Sequence, residues 1–248
     1  MVYCERKQMQ TNRLVELDIF KGWAIVLMVL FHLCYDLNYF KYIHIDLHHD
    51  SFWIFARYVI VTMFLLGVGM SLTIAHTPTI QWHKVRKRIF LLGGASLLIS
   101  LVTYVVFPHS WVYFGILHFI LVASLLGLLF LKHPALSLFS AVGILIGTKM
   151  GWLDMHWLFL YLQGPLHLPK YTEDFVPLFP WFAVILIGMA SVAYGYHKTI
   201  LQNRLFKPTL IHNKILATLG RNALLIYVVH QAVLFGFFYL LEYVIKIV

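Results

Sequence analysis

Seven stretches of this chain are apolar enough to enter a lipid bilayer, and a water-soluble fold of this size has no interior able to hide them all. Crossing the hydrocarbon takes about 20 mostly apolar residues as helix, because the backbone must satisfy its own amides there. Such runs lie near residues 22–40, 52–75, 89–107, 111–131, 134–150, 178–197 and 222–245. The fifth, PALSLFSAVGILIGTKM, is short and rich in small residues. Hydrophobic residues make up 61% of the 248 and charged residues only 12%, where a soluble domain carries roughly a quarter charged. The expected fold is therefore all-α: a polytopic membrane helix bundle of about seven transmembrane helices in one domain, residues 1–248. There is no internal repeat and no low-complexity tract.

Charge orients the bundle. The net charge of +9 would suit a nucleic-acid binder if it were gathered on one soluble face, but it alternates with the apolar runs. Arg6, Lys7, Arg13 and Lys21 precede or open the first span; Lys84, Arg86, Lys87 and Arg88 fill the second connection. Lys132 lies in the fourth, and Lys198, Arg204, Lys207, Lys214 and Arg221 in the sixth. The opposite connections hold only Lys41, Lys149, Lys170 and Lys246. Positive residues collect on the cytoplasmic side, so the expectation is N-in/C-out in the cell membrane, multi-pass, with lipid and not nucleic acid as partner. The polar leader lacks a signal-peptide pattern. Cys4 in that leader and Cys34 in the first span are not expected to form a disulfide, and neither suggests a metal site.

Between the fifth and sixth spans, GWLDMHWLFLYLQGPLHLPKYTEDFVPLFPW is the longest external segment. Its Trp152, Trp157 and Tyr161 suit either a short interfacial helix or an ordinary aromatic belt. Pro180 falls where the first turn of a helix accepts proline. Gly67, Gly69, Gly93 and Gly94 suit close helix packing.

Ionisable groups inside the spans need a reason, since each costs about 2.5–3.5 kcal/mol on insertion scales. The first span carries His32, Asp36 and Asn38, and the four-residue spacing puts His32 and Asp36 on one helix face. The second carries Arg57, the fourth His118 and the last His230. At 1.5 Å per residue, Asp36, Arg57, His118 and His32 lie roughly 6–12 Å below the outer ends of their spans, so three helices feed one polar layer. His230 falls nearer the cytoplasm, about 12 Å from the inner end of its span. A structural Asp36–Arg57 ion pair and a simple interhelical hydrogen bond at each histidine are the competing readings. The run HKVRKR, His83 to Arg88, suits either an anionic cofactor or anionic lipid at the inner face.

The stretch ELDIFKGWAIVLMVLFHLCYDLNYF resembles the first span of the heparan-α-glucosaminide N-acetyltransferase catalytic-domain family, in its bacterial branch, within the transmembrane acyltransferases. FWIFARYVIVTMFLLGVGMSL, FGILHFI, DFVPLFPWFAVILIGMA and LGRNALLIYVVHQAVL resemble later parts of the family in order. A looser likeness joins it to acyltransferases of surface sugars, which carry an arginine and, after ten residues, a histidine in the first span. Here Lys21 and His32 stand at those positions; lysine keeps the charge without the bidentate fork.

The resemblance implies acetyl transfer from cytoplasmic acetyl-CoA to an amine or hydroxyl of a sugar acceptor on the outer side, by a homodimer. His32 would be the general base, with Asp36 orienting it and His118 positioning the acceptor or stabilising an oxyanion. Lys21, Arg86, Lys87 and Arg88 would hold coenzyme A, and Arg57, Asn38 and His230 the acceptor, with no metal. Direct transfer and an acetyl-histidine intermediate both fit. The alternative from another class is a small proton-coupled transporter or flippase using the same His, Asp and Arg set.

Overall fold

The computed structural model describes residues 14–247, apart from 48, 173, 209 and 210. The described residues form helices and no strands: α1 Val15–Tyr39, α2 Ser51–His76, α3 Trp82–Val106, α4 Ile116–Gly127, α5 Pro134–Lys149, α6 His156–Gln163, α7 Leu178–Ala193, α8 Tyr196–Leu201, α9 Ile211–Arg221 and α10 Ala223–Ile247. A 3-10 turn, Leu128–Phe130, prolongs α4. By length and composition α1, α2, α3 and α10 can each cross a membrane, while prolonged α4, α5 and α7 are shorter apolar helices. These coincide with the apolar runs of the sequence, and the chain is a polytopic helical membrane protein.

Two helices start well before their apolar runs. α1 begins at Val15 and α3 at Trp82, so the basic run His83–Arg88, expected as a connection, is helical. Lysine and arginine are good helix formers. The amides of Lys84 and Val85 already bond to the Gln81 carbonyl, at 2.9 and 3.1 Å. In α1, Glu16 and Asp18 occupy the first turn, where negative charge meets the positive end of the helix dipole. Conversely, regular helix in α7 begins only at Pro180, because Phe179 has extended dihedrals (φ −106, ψ 134). The expected external segment contains α6, with Trp157 and Tyr161 exposed on it and Trp152 exposed before it.

The contacts group the chain into two compact units, residues 1–64 with 199–248 and residues 65–198. In the first, α9 lies on the N-terminal part of α1. Its buried residues Asn213, Leu216, Ala217 and Gly220 recur at the spacing of one helix face. Ile19 packs with Leu216 and Ala217. A Cβ on Gly220 would run into the Asp18 carbonyl, and one on Gly22 into the Leu216 carbonyl. Backbone therefore meets backbone at this crossing. From there α10 continues beside the rest of α1, with Ala223, Ile226 and Tyr227 against the Ile25, Met28 and Ile60 core.

In the second unit, α2 and α7 cross at Gly69 and Gly188, where a Cβ on Gly188 would stand 2.6 Å from the Leu66 carbonyl oxygen. Gly69 thus meets the expectation of close packing. Gly93 and Gly94 do not: a Cβ on Gly93 would meet only a Leu121 methyl at 3.8 Å, and one on Gly94 nothing within 4 Å.

Candidate active site

Two histidines face each other in the first unit. The rings of His32 on α1 and His230 on α10 are 4.7 Å apart between centroids and nearly perpendicular, at 82°. Each is tied to its own helix, His32 Nδ1 to the Met28 carbonyl at 2.9 Å and His230 Nδ1 to the Tyr227 carbonyl at 2.7 Å. A carbonyl only accepts, so each Nδ1 carries the proton and each neutral ring keeps its lone pair on Nε2. The His230 Nε2 is buried without a hydrogen-bond partner. Phe31 and Tyr227 pack edge-on or tilted against the pair, and Trp53 stands behind Phe31.

The expectation that His230 lies at a different depth from His32 is therefore corrected. Contacts climb α1 and α10 in the same direction, from His32–His230 through Asp36–Gln231 to Phe40–Phe238 and Tyr42–Glu242. Because α9 occupies the lower part of α1, α10 starts level with the middle of α1 and not with its end. Counting residues from the end of each span hid that offset.

One turn above His32, Asp36 is fully buried. Its Oδ1 accepts a hydrogen bond from Gln231 Nε2 at 2.7 Å, while Oδ2 and Gln231 Oε1 are enclosed without partners. The partner weighed for Asp36, Arg57, is exposed on α2 and forms no ion pair with it among the described residues. Gln231 follows His230 directly, and adjacent helical positions lie about 100° apart, so the sequence puts the two on different faces. α10 nevertheless turns both residues towards α1. Asn38 closes the turn after α1, its Oδ1 accepting from the Ile45 amide at 2.8 Å.

Lys21 is half-buried on α1 beside the glycine crossing, and an unbroken helix joins it to His32. Near it the buried Asp18 carboxylate faces Arg221 Nε at 3.5 Å. Cys34 is a free cysteine, while Cys4, Arg6, Lys7 and Arg13 lie outside the described residues. In the second unit, Arg86 and Lys87 are exposed, whereas Arg88 turns inward beside His76 and Ser124.

His118, also in the second unit, has both ring nitrogens occupied. Nδ1 accepts from the Gly115 amide at 3.3 Å, satisfying the N-cap amide at the start of α4. Nε2 lies 3.2 Å from Ser100 Oγ, whose hydroxyl donates to the Val112 carbonyl at 2.6 Å. The Nε2 therefore carries the proton and donates to Ser100, so this imidazole is the opposite tautomer from His32 and His230. Asp174 adds to the same helix start by accepting from the Ile116 amide at 2.9 Å. Ser100 and Asp174 come from distant parts of the chain and carried no local signal.

A family model described as heparan-alpha-glucosaminide N-acetyltransferase, catalytic, matches residues 13–232, nearly the whole chain. The matched region contains both histidines, Asp36, Gln231 and the basic turn of α3. No curated protein and no solved structure matches at a significant level. The chain belongs to the heparan-alpha-glucosaminide N-acetyltransferase catalytic family, and is a membrane-embedded transferase of the acetyltransferase type.

Proposed function

We propose that this protein moves an acetyl group from cytoplasmic acetyl-CoA to an amine or hydroxyl of a sugar acceptor on the outer side of the cell membrane. The observation that carries the reading is the His32–His230 pair, held with both Nδ1 protons on backbone carbonyls. This leaves Nε2 as the basic atom of each ring. His32 Nε2 acts as general base, removing the acceptor proton as the acceptor nitrogen or oxygen attacks the thioester carbonyl. The C–S bond breaks, the new amide or ester forms, and the proton passes from His32 to the departing coenzyme A thiolate. His230 accepts a hydrogen bond from the acceptor through its Nε2.

Asp36, neighbouring His32 along the same face, favours the imidazolium that forms during transfer. Lys21 meets the phosphates at the inner end, roughly 16 Å of helix below His32, a length that an extended pantetheine arm covers. In this reading His118 holds the start of α4 and does not touch the acceptor.

The test is acetyl transfer from radiolabelled acetyl-CoA to glucosamine-type acceptors by protein reconstituted in liposomes. His32→Ala is expected to lower the rate about 10²–10⁴-fold while the protein inserts and melts normally. An unchanged rate removes His32 from the mechanism. Passage of the sugar across the liposome without acetyl transfer replaces the whole reading by a transporter.

A further inference from the structure

Arg88 stands on the second turn of α3, in a cationic stretch whose side chains divide between surface and interior. Arg86 and Lys87 are exposed, and Lys84 Nζ donates to the Ala75 carbonyl at the end of α2, at 3.1 Å. Arg88 instead lines a small cavity walled by Leu72, Val85 and Leu121, with His76 and Ser124 as its polar neighbours. Its Nε is buried and has no hydrogen-bond partner.

Neither polar neighbour accepts from the Arg88 Nε. His76 Nδ1 already accepts from the Gln81 amide at 3.0 Å, and the Ser124 hydroxyl donates to the Ile120 carbonyl. The sequence holds no Asp or Glu anywhere between Asp50 and Asp154, so α2, α3, α4 and α5 bring no carboxylate to this corner. A guanidinium that is turned inward and left without an anion calls for one from outside the chain.

We propose that Arg88 anchors a site for a phosphate group carried on an amphiphilic molecule. The planar guanidinium matches phosphate oxygens two at a time. Lys84, Arg86 and Lys87 add a field that draws anions to the same turn, and the exposed Ile89 and Phe90 that follow Arg88 on α3 offer apolar surface for the chain that carries the phosphate. Two sources share this chemistry, an anionic phospholipid and coenzyme A. The coenzyme arm rests on the acetyl-transfer reading; the phosphate site itself does not.

The experiment titrates the detergent-purified full-length protein with phosphatidylglycerol, with phosphatidylcholine and with coenzyme A, following its melting temperature. Wild type is expected to show saturable stabilisation by phosphatidylglycerol or by coenzyme A, beyond any shift from phosphatidylcholine. Arg88→Met, which suits the apolar cavity, should weaken the apparent affinity about tenfold or more, the usual weight of charge-assisted hydrogen bonds. Arg88→Lys keeps the charge but not the fork and should weaken it several-fold, and it carries the test should the methionine variant not fold. Lys132→Gln removes one positive charge elsewhere in the unit and should leave the affinity within about twofold.

A response to phosphatidylglycerol assigns the site to lipid, and one to coenzyme A assigns it to the donor. Affinities that are the same in wild type and both Arg88 variants, for both probes, overturn the proposal. Loss of acetyl-transfer activity with Arg88-dependent phosphate binding intact would refute the catalytic reading alone.

Discussion

At the scale of single residues, the site turns on which backbone group each ring nitrogen meets. The carbonyls of Met28 and Tyr227 accept from the Nδ1 of His32 and His230, so backbone geometry puts the lone pair of each neutral ring on Nε2. His118 receives the opposite tautomer because an amide, a donor, faces its Nδ1. Histidines that look alike in the sequence thus differ in chemistry through their nearest backbone group.

Asp36 depends on Gln231 in the same way. Gln231→Leu would leave both carboxylate oxygens of Asp36 buried without partners, and is expected to cost about 1–3 kcal/mol. Asp36→Asn, which keeps the shape and removes the charge, should cost less, and unfolding of both variants in mild detergent checks the order. The reverse order would show that the Gln231 bond is incidental. His230→Ala should lower acetyl transfer, and the His32→Ala/His230→Ala double variant should be little slower than His32→Ala alone, since groups acting on one step are not additive. Fully multiplicative losses would mean that the rings work independently.

At the scale of helices, crossings are set by glycines whose partners are backbone. Gly220→Ala puts a methyl group into the Asp18 carbonyl and is expected to destabilise the protein by about 1–3 kcal/mol or more. Gly94→Ala meets nothing within 4 Å and should be stabilising by about 0.5–1 kcal/mol, because alanine is the better helix former. Thermal unfolding of the two variants side by side tests the contrast, and equal effects would contradict the crossing. Both glycines sit in apolar-looking helical sequence, and only the neighbouring chain separates them. α9 illustrates a different limit. Its apolar stripe of Leu216, Ala217 and Gly220 covers one face only, so a search for continuous apolar runs passes over it and sees a basic connection.

At the scale of the whole molecule, the charge asymmetry predicts N-in/C-out insertion. In a Cys4→Ala/Cys34→Ala background, a single cysteine at Gly151 should react with an impermeant reagent added outside intact cells. One at His133 should react only after the cells are opened. The opposite pattern would invert the bundle and move the proposed donor side to the outer face.

The amino-acid sequence by itself determined that the chain is helical, membrane-embedded and a member of its family. Those properties rest on long apolar runs, on loop charge and on ordered motifs, all of them local and additive along the chain. It also singled out His32 and Asp36, because a four-residue spacing is a statement about one helix. Only the tertiary structure decided that His230 meets His32, that Gln231 rather than Arg57 holds Asp36, and that Arg88 turns inward while Arg86 and Lys87 do not. Each of those depends on the offset and rotation of one helix against another. Side chains from both helices set that offset where they touch, and neither helix carries the information alone.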